Sequence, residues 1–304
     1  MPKFDFIGRS KIWLIISSVV ILTAILTVSI RGLNFGVEFT GGTLINVKLD
    51  KVVNISEVRQ MLAKYNLQKS IIQPIGVKEY LIRFKKDQAE EKNRDLANNV
   101  VAGLGKLAKV QDHTIEQVGP GWGQQITNAA IWAAVLSFAA LLIYISLRFE
   151  FKMAIGAIAA LIHDILFTVG VYSLVYREVT PATVAALLTI MGYSLYDTIV
   201  VFHKIVENSK TLQRKSYATM VNYSINQVLI RSLNTSITSI LPVIAILAFG
   251  GETLKDFAFA LMVGLFIGVY SSIFVASPLL VAWKETEPRF RNLKKKFGYQ
   301  ASQT

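Results

Sequence analysis

The chain has no cysteine among its 304 residues. No disulfide can hold any part of it together, and no thiolate can ligate a metal or attack a substrate. Histidine is scarce, with three in the chain at positions 113, 163 and 203. As read from the sequence they are scattered and make no cluster, and neither a His-Glu-x-x-His zinc motif nor a Gly-x-Ser-x-Gly nucleophile elbow occurs. Charge is scarce too: 17% of residues are charged, against about a quarter in soluble domains. What charge there is leans one way, with 32 Lys and Arg against 20 Asp and Glu. Together with 53% hydrophobic residues and a mean hydropathy of +0.46, these shortages exclude an ordinary soluble enzyme.

The apolar residues are clustered. A hydrocarbon core about 30 Å thick needs about 20 helical residues, and six runs reach that scale: residues 12–30, 126–147, 153–176, 181–206, 229–249 and 257–283. The first lies between Lys11 and Arg31. It is longer than the roughly 7 to 15 residues of a signal-peptide core, and no small-x-small cleavage pattern follows, so it reads as a retained helix. Pro242 is expected to kink the fifth run. Fifteen basic residues fall on one side of these spans: in the N-terminal tail, the turn with Arg148 and Lys152, the loop from Lys204 to Lys215, and the C-terminal tail. Arg177 and Lys255 alone occupy the short loops opposite. The positive-inside rule therefore puts both termini in the cytoplasm. The net charge of +12 is a topology signal, and the Lys294-Lys295-Lys296 run is expected to lie against anionic headgroups and not on nucleic acid.

One long hydrophilic stretch, residues 31–125, lies on the outer side. The pattern predicts strands over 43–49, 70–75, 80–85 and 110–118. It predicts a helix over 55–65, capped by Asn54 with Glu57 in the capping-box position, and a second helix starting at Asp87 with Glu90 three residues on. The order βαββαβ is that of a ferredoxin-like α+β domain, with His113 a surface residue. Expected boundaries are a tail over 1–11, the first span over 12–30, the domain over 31–125, a five-helix bundle over 126–283 and a basic tail over 284–304. Gly36, Gly41, Gly42, Gly119, Gly121 and Gly123 frame the domain and read as hinges. They are not a phosphate cradle, because Gly41 and Gly42 precede a strand where a nucleotide loop would follow one.

Three ionisable residues fall inside spans: Asp164, Asp197 and Arg231. Each costs roughly 2.5 to 3.5 kcal/mol at a helix centre on insertion scales. At a rise of about 1.5 Å per residue, Asp197 lies about 9 Å and Arg231 about 6 Å from the inner edge on consecutive helices, so the two are expected to meet. Asp164, about 16 Å deep by the same rise, is too far from Asp197 for the shared-proton dyad of an intramembrane aspartyl protease, which needs carboxyls about 3 Å apart. Arg231, Asn234, Thr235 and Thr238 recur at helical spacing as a polar stripe able to hold water. Gly156, Ala160, Asp164 and Thr168, and likewise Gly264, Gly268, Ser272 and Ala276, form small-residue packing stripes. The Asp–Arg arrangement reads either as a static staple or as a proton switch. In the switch, Asp197 takes up a proton, releases Arg231 and lets the helices move the outer domain.

Four segments carry a family resemblance: Leu33-Asn-Phe-Gly-Val-Glu-Phe-Thr-Gly-Gly42, Val118-Gly-Pro-Gly-Trp-Gly123, Gly192-Tyr-Ser-Leu-Tyr-Asp-Thr-Ile-Val-Val201, and Asn226-Gln227 with Arg231-Ser-Leu-Asn-Thr-Ser236. In this order the chain resembles the SecF branch of the SecD/SecF family of protein-export membrane proteins, within the resistance-nodulation-division superfamily. The resemblance implies a multi-pass subunit of the bacterial cytoplasmic (inner) membrane, without a hydrolytic site or cofactor. Such a subunit pairs with SecD, joins the SecYEG translocon with YidC and YajC as further partners, and draws exported unfolded polypeptide outward with protons as coupling ion. It implies that Asp197 and Arg231 are the proton-coupling residues; Asp164, Tyr196, Thr198, Asn234, Thr235 and Thr238 are read from this chain as their polar support. Two departures stand out. Tyr196 replaces the usual Asn before the Asp, and His203-Lys204 replaces a usual Asp-Arg pair. Rival readings are a proton-driven small-molecule or lipid exporter of the same superfamily and a non-transporting structural subunit.

Overall fold

A computed structural model describes residues 4–68, 70–84, 90–211, 214–250 and 252–300. Among these, six helices are long and apolar enough to cross a membrane: Ser10–Arg31, Gly121–Arg148, Phe151–Val175, Pro181–Thr211, Tyr217–Phe249 and Leu254–Lys284. The chain divides into two compact units, one of Met1–Asn34, Ala134–Arg177 and Ala182–Thr304, the other of Phe35–Ala133 and Glu178–Pro181. In chain order the elements are α1 (Ser10–Arg31), β1 (Asn34–Phe35), α2 (Val37–Thr40), β2 (Gly42–Leu49), α3 (Ile55–Ala63), β3 (Ile71–Pro74), β4 (Glu79–Phe84), α4 (Glu90–Gly105) and β5 (Val110–Val118). They continue as α5 (Pro120–Arg148), α6 (Phe151–Val175), β6 (Glu178–Val179), α7 (Pro181–Thr211), α8 (Tyr217–Phe249), α9 (Glu252–Ser271), a π-helical segment (Ser272–Ala276), α10 (Ser277–Lys284) and α11 (Pro288–Phe297).

The α+β unit follows from alternation. Along β2, Thr43, Ile45, Val47 and Leu49 are buried while Lys48 is exposed, the period-2 pattern of a strand with one face on a core. All pairings within the sheet are antiparallel, in the order β3-β4-β2-β5. This is the arrangement of the split βαββαβ unit. Val58 and Leu62 of α3 and Ala97, Val100 and Leu104 of α4 join Ile45, Val47, Leu49, Ile82 and Phe84 in one core. Each fully buried aliphatic side chain there contributes roughly 1.5 to 3 kcal/mol. Asn54 caps α3 by accepting the Ser56 amide at 3.0 Å, without the reciprocal Glu57 bond of a full capping box. Tyr80 fixes the β2–α3 connection, its hydroxyl donating to the Val53 carbonyl at 2.6 Å and accepting the Val53 amide at 2.9 Å. The expected Asp87 cap and the end of the 80–85 strand lie outside the described residues.

A two-residue strand was not expected. β6, in the connection from α6 to α7, pairs with β1. The Gly36 amide donates to the Val179 carbonyl at 2.9 Å, and Glu178 forms a buried ion pair with Arg83 of β4.

The helical unit packs through small residues, because lipid tails give helices no hydrophobic reason to associate and close backbone approach supplies the contact instead. Gly170 of α6 lies against Ala24 of α1, Gly156 of α6 against the Ala276 carbonyl, and Gly264 and Gly268 of α9 against Ile190 and Ser194 of α7. Pro242 sits inside α8, which runs as one helix to Phe249. At one end of this unit, Asn222 and Asn226 hold the backbone of the N-terminal segment: Asn222 Oδ1 accepts the Phe6 amide at 2.8 Å and Asn226 Oδ1 the Phe4 amide at 2.9 Å. The basic C-terminal tail is helical in part as α11. It is tied down by Tyr299, which bonds Asp5, and by the Gln300 amide, which donates to Thr219 Oγ1 at 2.9 Å. Lys152, at 2.9 Å, and then Lys284 hold the Glu287 carboxyl below its usual range.

Candidate functional site

Asp164 is the most enclosed ionisable side chain of the helical unit, 0% exposed. Its surroundings come from three helices. His163 Nδ1 of α6 lies 3.0 Å from Oδ1, Ser194 Oγ of α7 donates to Oδ2 at 2.5 Å, and Ser271 Oγ at the end of α9 donates to Oδ2 at 2.7 Å. Bare approach is possible because Gly268 is the α9 residue facing Ser194 and Asp164. Directly after Ser271 the backbone switches to the π-helical segment Ser272–Ala276. Such single-turn departures from α geometry recur at functional sites.

Asp197 lies one turn beyond Ser194 on α7 and is 8% exposed. Its carboxyl faces Ser236 of α8, whose hydroxyl donates to the Ser232 carbonyl at 2.9 Å. Arg231 stands elsewhere. Its side chain is exposed and lines a cavity of 740 Å³ with Tyr144, Arg148, His203, Lys204, Glu207 and Gln227 among others. The expected Asp197–Arg231 ion pair is not formed among the described residues. Rise along the axis placed the two at similar depth, but depth does not fix azimuth. Five residues separate Arg231 from Ser236, a turn of about 140° around α8, so the face that meets Asp197 is not the face that carries Arg231.

The other expected residues divide between these two environments. Thr198 is buried at the inner seam, its Oγ1 2.8 Å from Ser272 Oγ. Tyr196 is 46% exposed. Asn234 and Thr238 are exposed and Thr235 half-buried. The stripe hydroxyls turn back on their own helix, Thr235 Oγ1 donating to the Arg231 carbonyl and Thr238 Oγ1 to the Asn234 carbonyl, each at 2.9 Å. Of the six glycines expected as hinges, Gly41 and Gly42 have positive φ, 72° and 152°. Gly121 and Gly123 instead lie in the first turn of α5. Gly123 is needed there for closeness, since a Cβ would come within 2.7 Å of the Phe39 carbonyl oxygen.

Three residues of this centre were not singled out from sequence: His163, Ser194 and Ser271. The legible signals were the adjacency of His163 to a membrane carboxylate and the position of Ser194 three residues before Asp197. A serine is too common in membrane helices to be picked out by type.

A family described as protein export membrane protein SecD/SecF, C-terminal, matches residues 98–286, and the SecD/SecF GG motif matches residues 28–51. A protein translocase subunit SecF of Magnetococcus marinus is 42% identical over 283 residues, covering 91% of each chain. That of Streptomyces coelicolor is 38% identical over 304 residues, covering 96% of this chain and 80% of the relative. The crystal structure of SecDF from Thermus thermophilus, described as a translocon-associated membrane protein, superposes with a TM-score of 0.82 at 35% identity. That match covers 93% of this chain and 39% of the longer SecDF chain. With six candidate spans among the described residues, a ferredoxin-like domain between the first two in chain order and a family match over most of its length, the chain belongs to the SecD/SecF family of protein-export membrane proteins, among relatives that are subunits of the Sec protein translocase.

Proposed function

We propose that this chain serves as the accessory subunit that couples proton entry to polypeptide export across the bacterial cytoplasmic membrane, with both termini on the cytoplasmic side. A SecD-type chain is its membrane partner, SecYEG with YidC and YajC its wider assembly, and an unfolded exported polypeptide its cargo. Support for the partner comes from the Thermus thermophilus relative, in which a SecDF chain contains a region 35% identical to 93% of this one. The coupling ion is a proton. No cofactor enters the cycle, and the role is transport without a hydrolytic step.

The observation that carries the reading is Asp197, a carboxyl almost wholly buried inside a membrane span and facing Ser236 of α8. An intramembrane carboxylate is costly and is by default a functional group. In the proposed cycle a proton on Asp197 changes its hold on Ser236 and so on α8, the helix that also carries Arg231 on another face. The proton itself supplies the drive, since one charge moved through the full membrane potential is worth about 2.3 kcal/mol per 100 mV. The test is secretion of a reporter from cells depending on this chain. Asp197→Asn and Arg231→Met are expected to lower export to the level seen when the proton gradient is collapsed. Export that stays gradient-dependent in Asp197→Asn rejects the coupling role and leaves a structural subunit.

A further inference from the structure

We infer that His163, Asp164, Ser194 and Ser271 form a second proton-binding site, separate from Asp197, whose two hydrogen-bond patterns are set by the Ser271 hydroxyl. The inference rests on the proton-coupled reading above and adds a binding site to it.

The geometry offers the Ser271 hydroxyl a choice. It lies 2.7 Å from Asp164 Oδ2 and 3.2 Å from the Gly268 carbonyl oxygen. A hydroxyl has one hydrogen to give and can accept at the same time. With Asp164 ionised, Ser271 and Ser194 both donate to Oδ2 and the His163 Nδ1–H donates to Oδ1, so three donors satisfy the charge. With a proton added at Oδ2, the new O–H donates to Ser271 Oγ, and Ser271 turns its hydrogen to the Gly268 carbonyl. One proton enters, the site becomes one unit more positive, and no polar group loses its partner. A site built only to staple helices has no need of the second arrangement.

Two further features point the same way. His163 is 6% exposed, and its Nε2 is buried with no hydrogen-bond partner among the described residues. An orphaned buried ring nitrogen costs about 1 to 3 kcal/mol, and it leaves one coordination position of the cluster open to water or a proton. The Ser271 switch also adjoins the π-helical segment. Its Ser272 bonds Thr198 of α7 at 2.8 Å and donates to the Gly268 carbonyl at 3.0 Å, so Ser271 and Ser272 share that acceptor. A change at Ser271 therefore reaches the α7–α9 contact directly. The ionisable neighbours on the surrounding helices are Tyr270 of α9, stacked on the His163 ring at 6.1 Å, and Asp197 of α7. From α1, Ser17 lies 3.0 Å from the Tyr270 hydroxyl and the Trp13 carbonyl accepts from it at 3.4 Å, and neither titrates.

The test is pH-difference infrared spectroscopy of the full chain in lipid vesicles with carbon-13-labelled aspartate. Neither a gradient nor export is needed, so failure here and failure of the export reading are separable. The expected result is a protonated-carboxyl band that appears as pH falls, persists in Asp197→Asn and disappears in Asp164→Asn. If all carboxyl signal vanishes with Asp197→Asn, or if Asp164→Asn removes nothing, the second site is overturned. Should Asp164→Asn fail to fold, Ser271→Ala decides the matter. The band must move in frequency when the hydroxyl that partners Oδ2 is gone, and an unmoved band overturns the proposal.

Discussion

The seam where α6, α7 and α9 meet and the outward face of α8 both place polar atoms inside membrane-spanning segments, yet they treat them in opposite ways. At the seam every carboxylate oxygen of Asp164 has a partner from this chain, and glycines let the backbones approach. On α8 the Thr235 and Thr238 hydroxyls bond only their own helix, while Arg231 stands exposed. At the seam the carboxylate is fully partnered within one chain. The α8 face is left open, which is what a surface awaiting a change of state or another chain requires, because an unpaired cation in hydrocarbon is tolerated only beside water or protein.

The contrast can be broken by substitution. The largest effect is expected from Asp164→Ala, which strands the donors of Ser194 and His163 and leaves Ser271 only the Gly268 carbonyl. Orphaning a buried charged cluster costs about 3 to 5 kcal/mol, and unfolding in detergent followed by circular dichroism measures it. A cost under about 1 kcal/mol would mean that the seam is not held by this carboxylate. Next comes Gly268→Val. A Cβ there meets Ser194 Cα and Cβ at 3.3 Å, and such overpacking is expected to cost about 1 to 3 kcal/mol in the same unfolding measurement, with α9 displaced from α7. The smallest stability change is expected from Arg231→Met, within about 0.5 kcal/mol, since none of the described residues pairs with the guanidinium. Its loss of export without loss of stability is what sharpens the comparison. A destabilisation equal to that of Asp164→Ala would show that α8 is as fully partnered as the seam.

Much of this was legible in residues alone, for reasons of local physics. Hydrocarbon demands length and apolarity from each span separately, so six runs read directly as six helices. The head domain was legible because alternation in 43–49 and the cap at Asn54 are properties of neighbouring residues. Local pattern failed where contact depends on rotation or on distant segments. The pairing of Asp197 with Arg231 followed from depth, and α8 turns the two apart. β6 is two residues long and has no periodicity to detect, and the π-helical segment has no proline or glycine to announce it.

Sequence by itself determined the number of spans, the family, the α+β order of the head and the presence of three costly charges in the membrane, because burial in lipid and strand alternation act residue by residue. Tertiary structure alone decided which of those charges is enclosed and by what. Residues 163–164, 194 and 271 converge only when three helices cross at a glycine, and the hydrogen bonds that make Asp164 tolerable exist only at that crossing.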